Sequence, residues 1–159
     1  MIDPKQFRDV LGSYPTGVCV ITSLTESGER CGLAIGSFSS ISLDPPLVGF
    51  MPDKRSVSWQ QIATTGRFCV NVLGSDQLDD CRRFASSGGD KFDGIAHGSS
   101  PLGLPVLDNA LAWIECDIER LIDIGDHYLV VGAVRALESR AEGSPLIFHR
   151  GGYHRLTTV

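Results

Sequence analysis

At 159 residues, with 42% hydrophobic and 21% charged residues, the chain is long enough to bury a substantial core within a single domain spanning 1–159. Its net charge of −5 opposes the broad electrostatic footprint by which proteins engage nucleic acid or anionic membrane surfaces. No apolar run reaches the ~20 residues of a membrane span, and the opening MIDPKQFRDV has neither the basic nor the apolar stretch of a secretory leader. The expectation is a cytoplasmic protein that binds no nucleic acid and no membrane.

The chain begins with Asp3-Pro4-Lys5-Gln6, an N-cap followed by proline at the first helical position and glutamine at N3. Phe7, Val10, Leu11 and Tyr14 follow at helical spacing, which predicts a short helix packing one face inward. Gly12 to Gly17 break it. The run from Gly17 to Leu24 is β-branched and apolar, as in a strand buried on both faces, and Ser27-Gly28 turns it back. Val18–Leu24 and Glu29–Ile35 therefore read as an antiparallel hairpin.

From Cys31 to Phe50 the chain reads CGLAIGSFSSISLDPPLVGF. Gly32, Ala34 and Gly36 let a flat ligand lie close to backbone, while Ser37, Ser39 and Ser40 bring donors without bulk, so the stretch suits a planar, multiply hydrogen-bonded ring. Serine and glycine beside strands also make ordinary turns and edges. Pro45-Pro46 forbids a helix and Leu47–Met51 forms the next strand. Asp53-Lys54-Arg55-Ser56 then sets two cations and an N-cap before a helix over Val57–Thr65, with Trp59, Ile62 and Ala63 on one face and Gly66 as C′ residue. That combination reads as an anion site or as a solvated helix start.

Arg67–Leu73 is a strand carrying one amide, Asn71, which pairs with neighbouring backbone if buried. Ser75 is expected to cap a helix from Asp76 to about Ser86, with Leu78, Cys81, Arg82 and Ala85 on one side and Gln77, Asp80 and Phe84 on another. Ser87 to Asn109 loses periodicity and reads as a long loop, with His97 a surface residue. Ala110–Ile122 alternates Trp113, Glu115, Asp117 and Glu119 against Ile114, Cys116 and Ile118, the pattern of a half-buried strand. Asp123–Asp126 turns the chain, His127–Ala136 forms a strongly apolar strand, and Pro145–Arg150 with Tyr153–Leu156 ends it antiparallel around Gly151-Gly152.

Cys19, Cys31, Cys69, Cys81 and Cys116 are odd in number, contain no CxxC pair and sit mostly in apolar runs, as reduced structural thiols do. About seven short strands with few helices and no βαβ alternation predict a small closed β-barrel. Neither G-x-G-x-x-G nor G-x-x-x-x-G-K-[ST] is present.

Six stretches occur in a telling order: Pro15-Thr16-Gly17-Val18, GLAIGSFSSISLDPPLV from Gly32, RFCVNVL from Arg67, RRFA from Arg82, KFDG from Lys91 and GDHYLVVGAV from Gly125. Over nearly its whole length the chain resembles the short-chain flavin reductase family, which includes the reductase components of two-component flavin monooxygenases. The resemblance implies a mainly β fold, a six-stranded antiparallel split barrel (the FMN-binding split barrel) with a few peripheral helices, forming a homodimer. It implies FMN or FAD near the subunit interface, NADH or NADPH as electron donor, and reduced flavin supplied to a partner flavin-dependent monooxygenase. Carried over residue by residue, the ring would lie along Ala34, Ser37, Phe38, Ser39 and Ser40. The phosphate would lie at Lys54, Ser56 and Val57, with Arg83 and Phe84 beside it. His127 would orient the nicotinamide as the catalytic histidine, with Tyr153 on the same side. Members often carry threonine at the position of Ala34 and asparagine at that of Gly36, which shifts ring binding here toward backbone groups. A non-catalytic flavin-binding or electron-carrier protein on the same fold is the alternative reading. A serine hydrolase using Ser39 or Ser40 is opposed by the missing G-x-S-x-G elbow.

Overall fold

A computed structural model describes residues Met1–Val159. Asp3 caps α1 (Pro4–Leu11) by accepting from the Gln6 amide at 2.9 Å, as its sequence predicts. The inward packing does not follow: Phe7, Val10, Leu11 and Tyr14 are all more than half exposed, and the helix lies on the surface with no residue buried.

After β1 (Thr16–Gly17), the predicted hairpin is β2 (Cys19–Leu24) with β3 (Arg30–Ile35), in register from Cys19 opposite Ile35 to Leu24 opposite Arg30. Gly28, at φ +84°, makes the turn between them. Next come β4 (Ser39–Ser42), β5 (Leu47–Phe50), α2 (Val57–Ala63), β6 (Arg67–Val72) and α3 (Leu78–Ala85). The order continues with β7 (His97–Ser99), β8 (Pro105–Leu107), β9 (Ala112–Ile124), β10 (His127–Ser139), β11 (Ile147–His149) and β12 (Gly152–His154).

Seven strands form one antiparallel sheet in the order β3-β2-β6-β9-β10-β5-β4. Laid flat it would span about 29 Å between its edge strands. Yet those edges, β3 and β4, are consecutive in the chain, and a link from Ile35 to Ser39 reaches at most ~14 Å. The sheet must curl until its edges nearly meet. It does so without hydrogen bonds between them, so the predicted closed barrel is observed as a curled, open antiparallel sheet of seven strands rather than six. The fold is mainly β with three helices and two smaller sheets, β1-β11-β12 and β7-β8.

Two apolar clusters fill it. Ile21, Phe50, Trp59, Ile62, Phe68 and Val130 pack on one side, with Phe50 edge-on to Trp59 and Phe68 at 5.7 and 5.1 Å. Val18, Val20, Leu73, Cys81, Phe84 and Phe92 pack on the other. Alternate residues of β2 enter opposite clusters, so its continuous apolar run is buried on both faces. No helix is long and apolar enough to cross a membrane.

Four readings are corrected. Gln77, not Ser75, stands at the N-terminus of α3, and its Oε1 accepts from the Gly74 amide at 3.0 Å. The segment 87–109 contains the β7–β8 ladder and is anchored, since Thr22 Oγ1 donates to the Pro105 carbonyl and Asn71 Oδ1 accepts from the Leu107 amide at 2.8 Å. Glu115, placed by alternation on the polar face of β9, is fully buried beneath this segment, where Ser100 Oγ and the Leu102 amide donate to its Oε2. His97 is half-buried and hydrogen-bonded through both ring nitrogens.

Candidate functional site

The sheet's open seam is where the serine-rich stretch lies. Between β3 and β4, Ser37 turns its Oγ to Met51, accepting from the amide at 2.9 Å and donating to the carbonyl at 3.3 Å. Ser39 and Ser40 are exposed on the edge strand β4, and Ser39 Oγ donates to the Ser40 carbonyl at 3.1 Å. Phe38 packs against the first cluster and Ala34 against the second.

Met51 leads into the segment predicted to bind an anion. Ser56 is the N-cap of α2, accepting from the Trp59 amide at 3.2 Å. Asp53 pairs with Arg55 at 2.9 Å, and the adjacent guanidinium holds its carboxyl well below the usual carboxylate range. Lys54 is engaged elsewhere: its Nζ donates to Asp123 Oδ1 and to the Gly125 carbonyl, both at 2.6 Å, at the turn of the β9–β10 hairpin. The same turn places His127 across a backbone bridge from Asp53. The His127 Nδ1 lies 2.7 Å from Asp126 Oδ1, and this contact lowers the Asp126 pKa.

Beside this segment a groove of about 850 Å³ runs along the β2–β3 turn and β3, from Gly28 to Leu33, between the start of α2 and the end of α3. Of the predicted residues, Ser56, Val57 and Phe84 line it. Phe84 is fully buried and forms the floor, its ring filling the space that a side chain at Gly32 would need. Arg83 is exposed on α3 and does not line the groove.

Two cations there escaped sequence reasoning. Lys91 donates to Ser58 Oγ at 2.9 Å, the Phe84 carbonyl at 3.1 Å and the Gly32 carbonyl at 3.3 Å, and burial lowers its pKa. Arg30 rises from the first residue of β3 and donates to His97 Nε2 at 2.8 Å. Neither has a carboxylate partner among the ion pairs of the chain. Lys91 lies within KFDG, a stretch that marked the resemblance without suggesting a role, whereas nothing near Arg30 in sequence signals one.

Tyr153 stands apart from the hairpin turn, on β12 against the second cluster. Its hydroxyl accepts from Cys81 Sγ at 3.5 Å, and this contact together with burial pushes its pKa up to about 12. The structure thus gathers Ser37, Lys54, Ser56, Val57 and His127 around Met51–Ser56 and leaves Tyr153 outside that group, on β12 against the second cluster.

Comparison with known proteins shows similarity along nearly the whole chain. The flavin reductase like domain matches residues 11–157. A flavin reductase of Pseudomonas putida is 51% identical over 152 residues, covering 96% of this chain and 89% of that protein. The reductase subunit HsaB of a flavin-dependent monooxygenase from Rhodococcus jostii is 48% identical over 152 residues, covering 96% and 77%. Among solved structures, the NADH:FAD oxidoreductase SgcE6 of Streptomyces globisporus, in complex with NAD and FAD fragments, matches with a TM-score of 0.92 at 34% identity, covering 99% of this chain and 96% of that one. With the domain matched across nearly its full length and relatives at about half identity, the chain belongs to the flavin reductase family.

Proposed function

We propose that the chain is the reductase component of a two-component flavin-dependent monooxygenase: a homodimeric split barrel in the cytoplasm that oxidises NADH or NADPH and releases reduced FMN or FAD to a separate oxygenase. The observation that carries the reading is the adjacency of two surfaces suited to the two parts of a flavin nucleotide. A seam of small residues and serine hydroxyls lies beside a groove in which two of the three cations, Arg30 and Lys91, have no anionic partner in a chain of net charge −5, the third, Arg55, being paired with Asp53. Cations left without carboxylates in an acidic protein favour a phosphate-bearing ligand.

A bound flavin supplies the redox chemistry, accepting hydride from the reduced nicotinamide. The protein's part is placement. Ser37 and the backbone of 34–36 support the ring edge, Ser56, Val57 and Lys91 flank the phosphate arm, and His127 stands at the hairpin turn where it can orient the nicotinamide. Apolar side chains left exposed at Leu121, Ile122 and Ile124, near that turn, suit burial against a second copy.

The test is steady-state oxidation of NADH and NADPH with FMN, FAD and riboflavin compared side by side. Turnover far above the uncatalysed rate is expected. Flavin binding with oxidation at background would leave only a carrier role.

A further inference from the structure

Arg30 lines the groove and meets His97, which stands behind it, and neither residue belongs to the stretches that carry the family resemblance. Arg30 Nη1 lies 2.8 Å from His97 Nε2, and the guanidinium sits 5.8 Å from the Phe92 ring centroid. His97 Nδ1 lies 2.8 Å from the Ile95 carbonyl, and its ring meets Phe92 edge-on at 5.2 Å. A guanidinium only donates and a carbonyl only accepts. Both contacts are satisfied together only by a neutral imidazole with its proton on Nδ1 and a lone pair on Nε2. Arg30 thereby uses one N–H and keeps its other donors, held over Phe92 at the wall of the groove.

We propose that Arg30 is a binding residue for the phosphate-bearing arm of the flavin nucleotide, and that neutral His97 is the positioning residue that holds it in place. The proposal rests on the reading of the groove given above. An arginine whose planar fork is fixed in advance loses less freedom on gripping an anion than a free surface arginine does.

The surroundings do not offer another partner for either residue. Of the groove's carboxylates, Asp90 Oδ1 accepts from the Phe92 amide and Glu29 pairs with no cation, while Arg55 is paired with Asp53 and Lys91 with neutral acceptors. Across the β7–β8 ladder His97 faces Leu107, which carries no charge, and the following residue, Asp108, meets this strand through its amide, donating to the Ala96 carbonyl at 2.9 Å. A side chain without an acceptor at this position would release Arg30.

FAD and riboflavin serve as probes in binding titrations of the full chain, because riboflavin lacks the phosphate arm. Arg30→Ala is expected to weaken FAD about two- to fivefold, the range of one exposed charge contact, with riboflavin unchanged. His97→Leu, which offers Arg30 no acceptor, should weaken FAD to the same degree, and His97→Gln, whose amide oxygen accepts from Arg30, should restore the affinity. An unchanged FAD-to-riboflavin ratio in Arg30→Ala, or a His97→Gln affinity for FAD no better than that of His97→Leu, overturns the proposal. Arg30 is exposed, so its variant should fold, and circular dichroism checks all three. If the wild type reduces no flavin with NADH or NADPH, it is the functional reading that fails, and the two failures are distinct.

Discussion

Ser37 and Met51 hydrogen-bond in both directions, tying the link between the sheet's two edges to the segment that leads into α2. One side chain therefore couples the ring seam to the start of the groove. Ser37→Ala removes both contacts and is expected to cost about 0.5–1.5 kcal/mol of stability, read as a fall in urea midpoint. If the seam seats the ring as proposed, the variant should also weaken all three flavins alike, riboflavin included. Loss confined to FMN and FAD would move Ser37 out of the ring site.

Ser56 and Lys54 adjoin in sequence but serve different elements. Ser56 caps α2 and lines the groove, whereas Lys54 is committed to Asp123 and the Gly125 carbonyl. Ser56→Ala should cost about 1 kcal/mol through the lost cap and weaken FMN and FAD. Lys54→Ala should loosen the hairpin turn and leave flavin affinity nearly unchanged. Equal losses of affinity would place Lys54 against the flavin, as the sequence alone suggests.

Much of this architecture is legible in the sequence because local rules decide it. Asp3-Pro4, Ser56 and the Gly28 turn each fix an element by chemistry within a few residues. The rest depends on contacts distant in the chain. Nothing local says that β3 and β4 are opposite edges of one sheet, or that Lys54 meets a carboxylate 69 residues away. Glu115 obeys its period-2 pattern and is still buried, because residues 100–102 cross back over β9 to receive it. Arg30 reads as an ordinary hairpin cation until His97, 67 residues on, turns it to the groove.

His127 holds Asp126 at 2.7 Å with its ring partly exposed, close to Asp53 and Lys54 but outside the groove. His127→Ala should raise the KM for NAD(P)H more than the Kd for flavin. Stopped-flow reduction at saturating flavin separates the two. Parallel changes in both would assign the histidine a structural role at the turn.

The five cysteines are free and buried. Burial pushes Cys19, Cys69 and Cys116 from 9.0 up to about 12, and Cys31 to about 11. Below about pH 9 these thiols stay protonated both folded and unfolded. Above it the unfolded chain ionises while the folded one does not, so stability is lost as pH rises from about 9 toward 12. The urea midpoint should be lower at pH 10 than at pH 7. At neutral pH a thiol reagent should label these residues only as the protein unfolds, and rapid labelling of the native state would contradict the buried, protonated assignment.

Lys91 joins three elements at one atom: its ammonium reaches Ser58 on α2, the Phe84 carbonyl at the end of α3 and the Gly32 carbonyl on the edge strand β3. Three acceptors arranged around a point suit the three N–H groups of an ammonium and not the planar fork of a guanidinium. Lys91→Arg should therefore fail to rescue what Lys91→Met loses. The methionine variant keeps the apolar stem and strands three acceptors, at an expected cost of about 1–3 kcal/mol, partly offset because no charge is then buried. With the strut gone, α2, α3 and β3 are free to separate along the groove, so FMN and FAD should weaken more than riboflavin. A Lys91→Arg protein with wild-type stability and wild-type FAD affinity would show that charge alone matters there, and that the groove's width is set by the packing of Phe84 against Gly32.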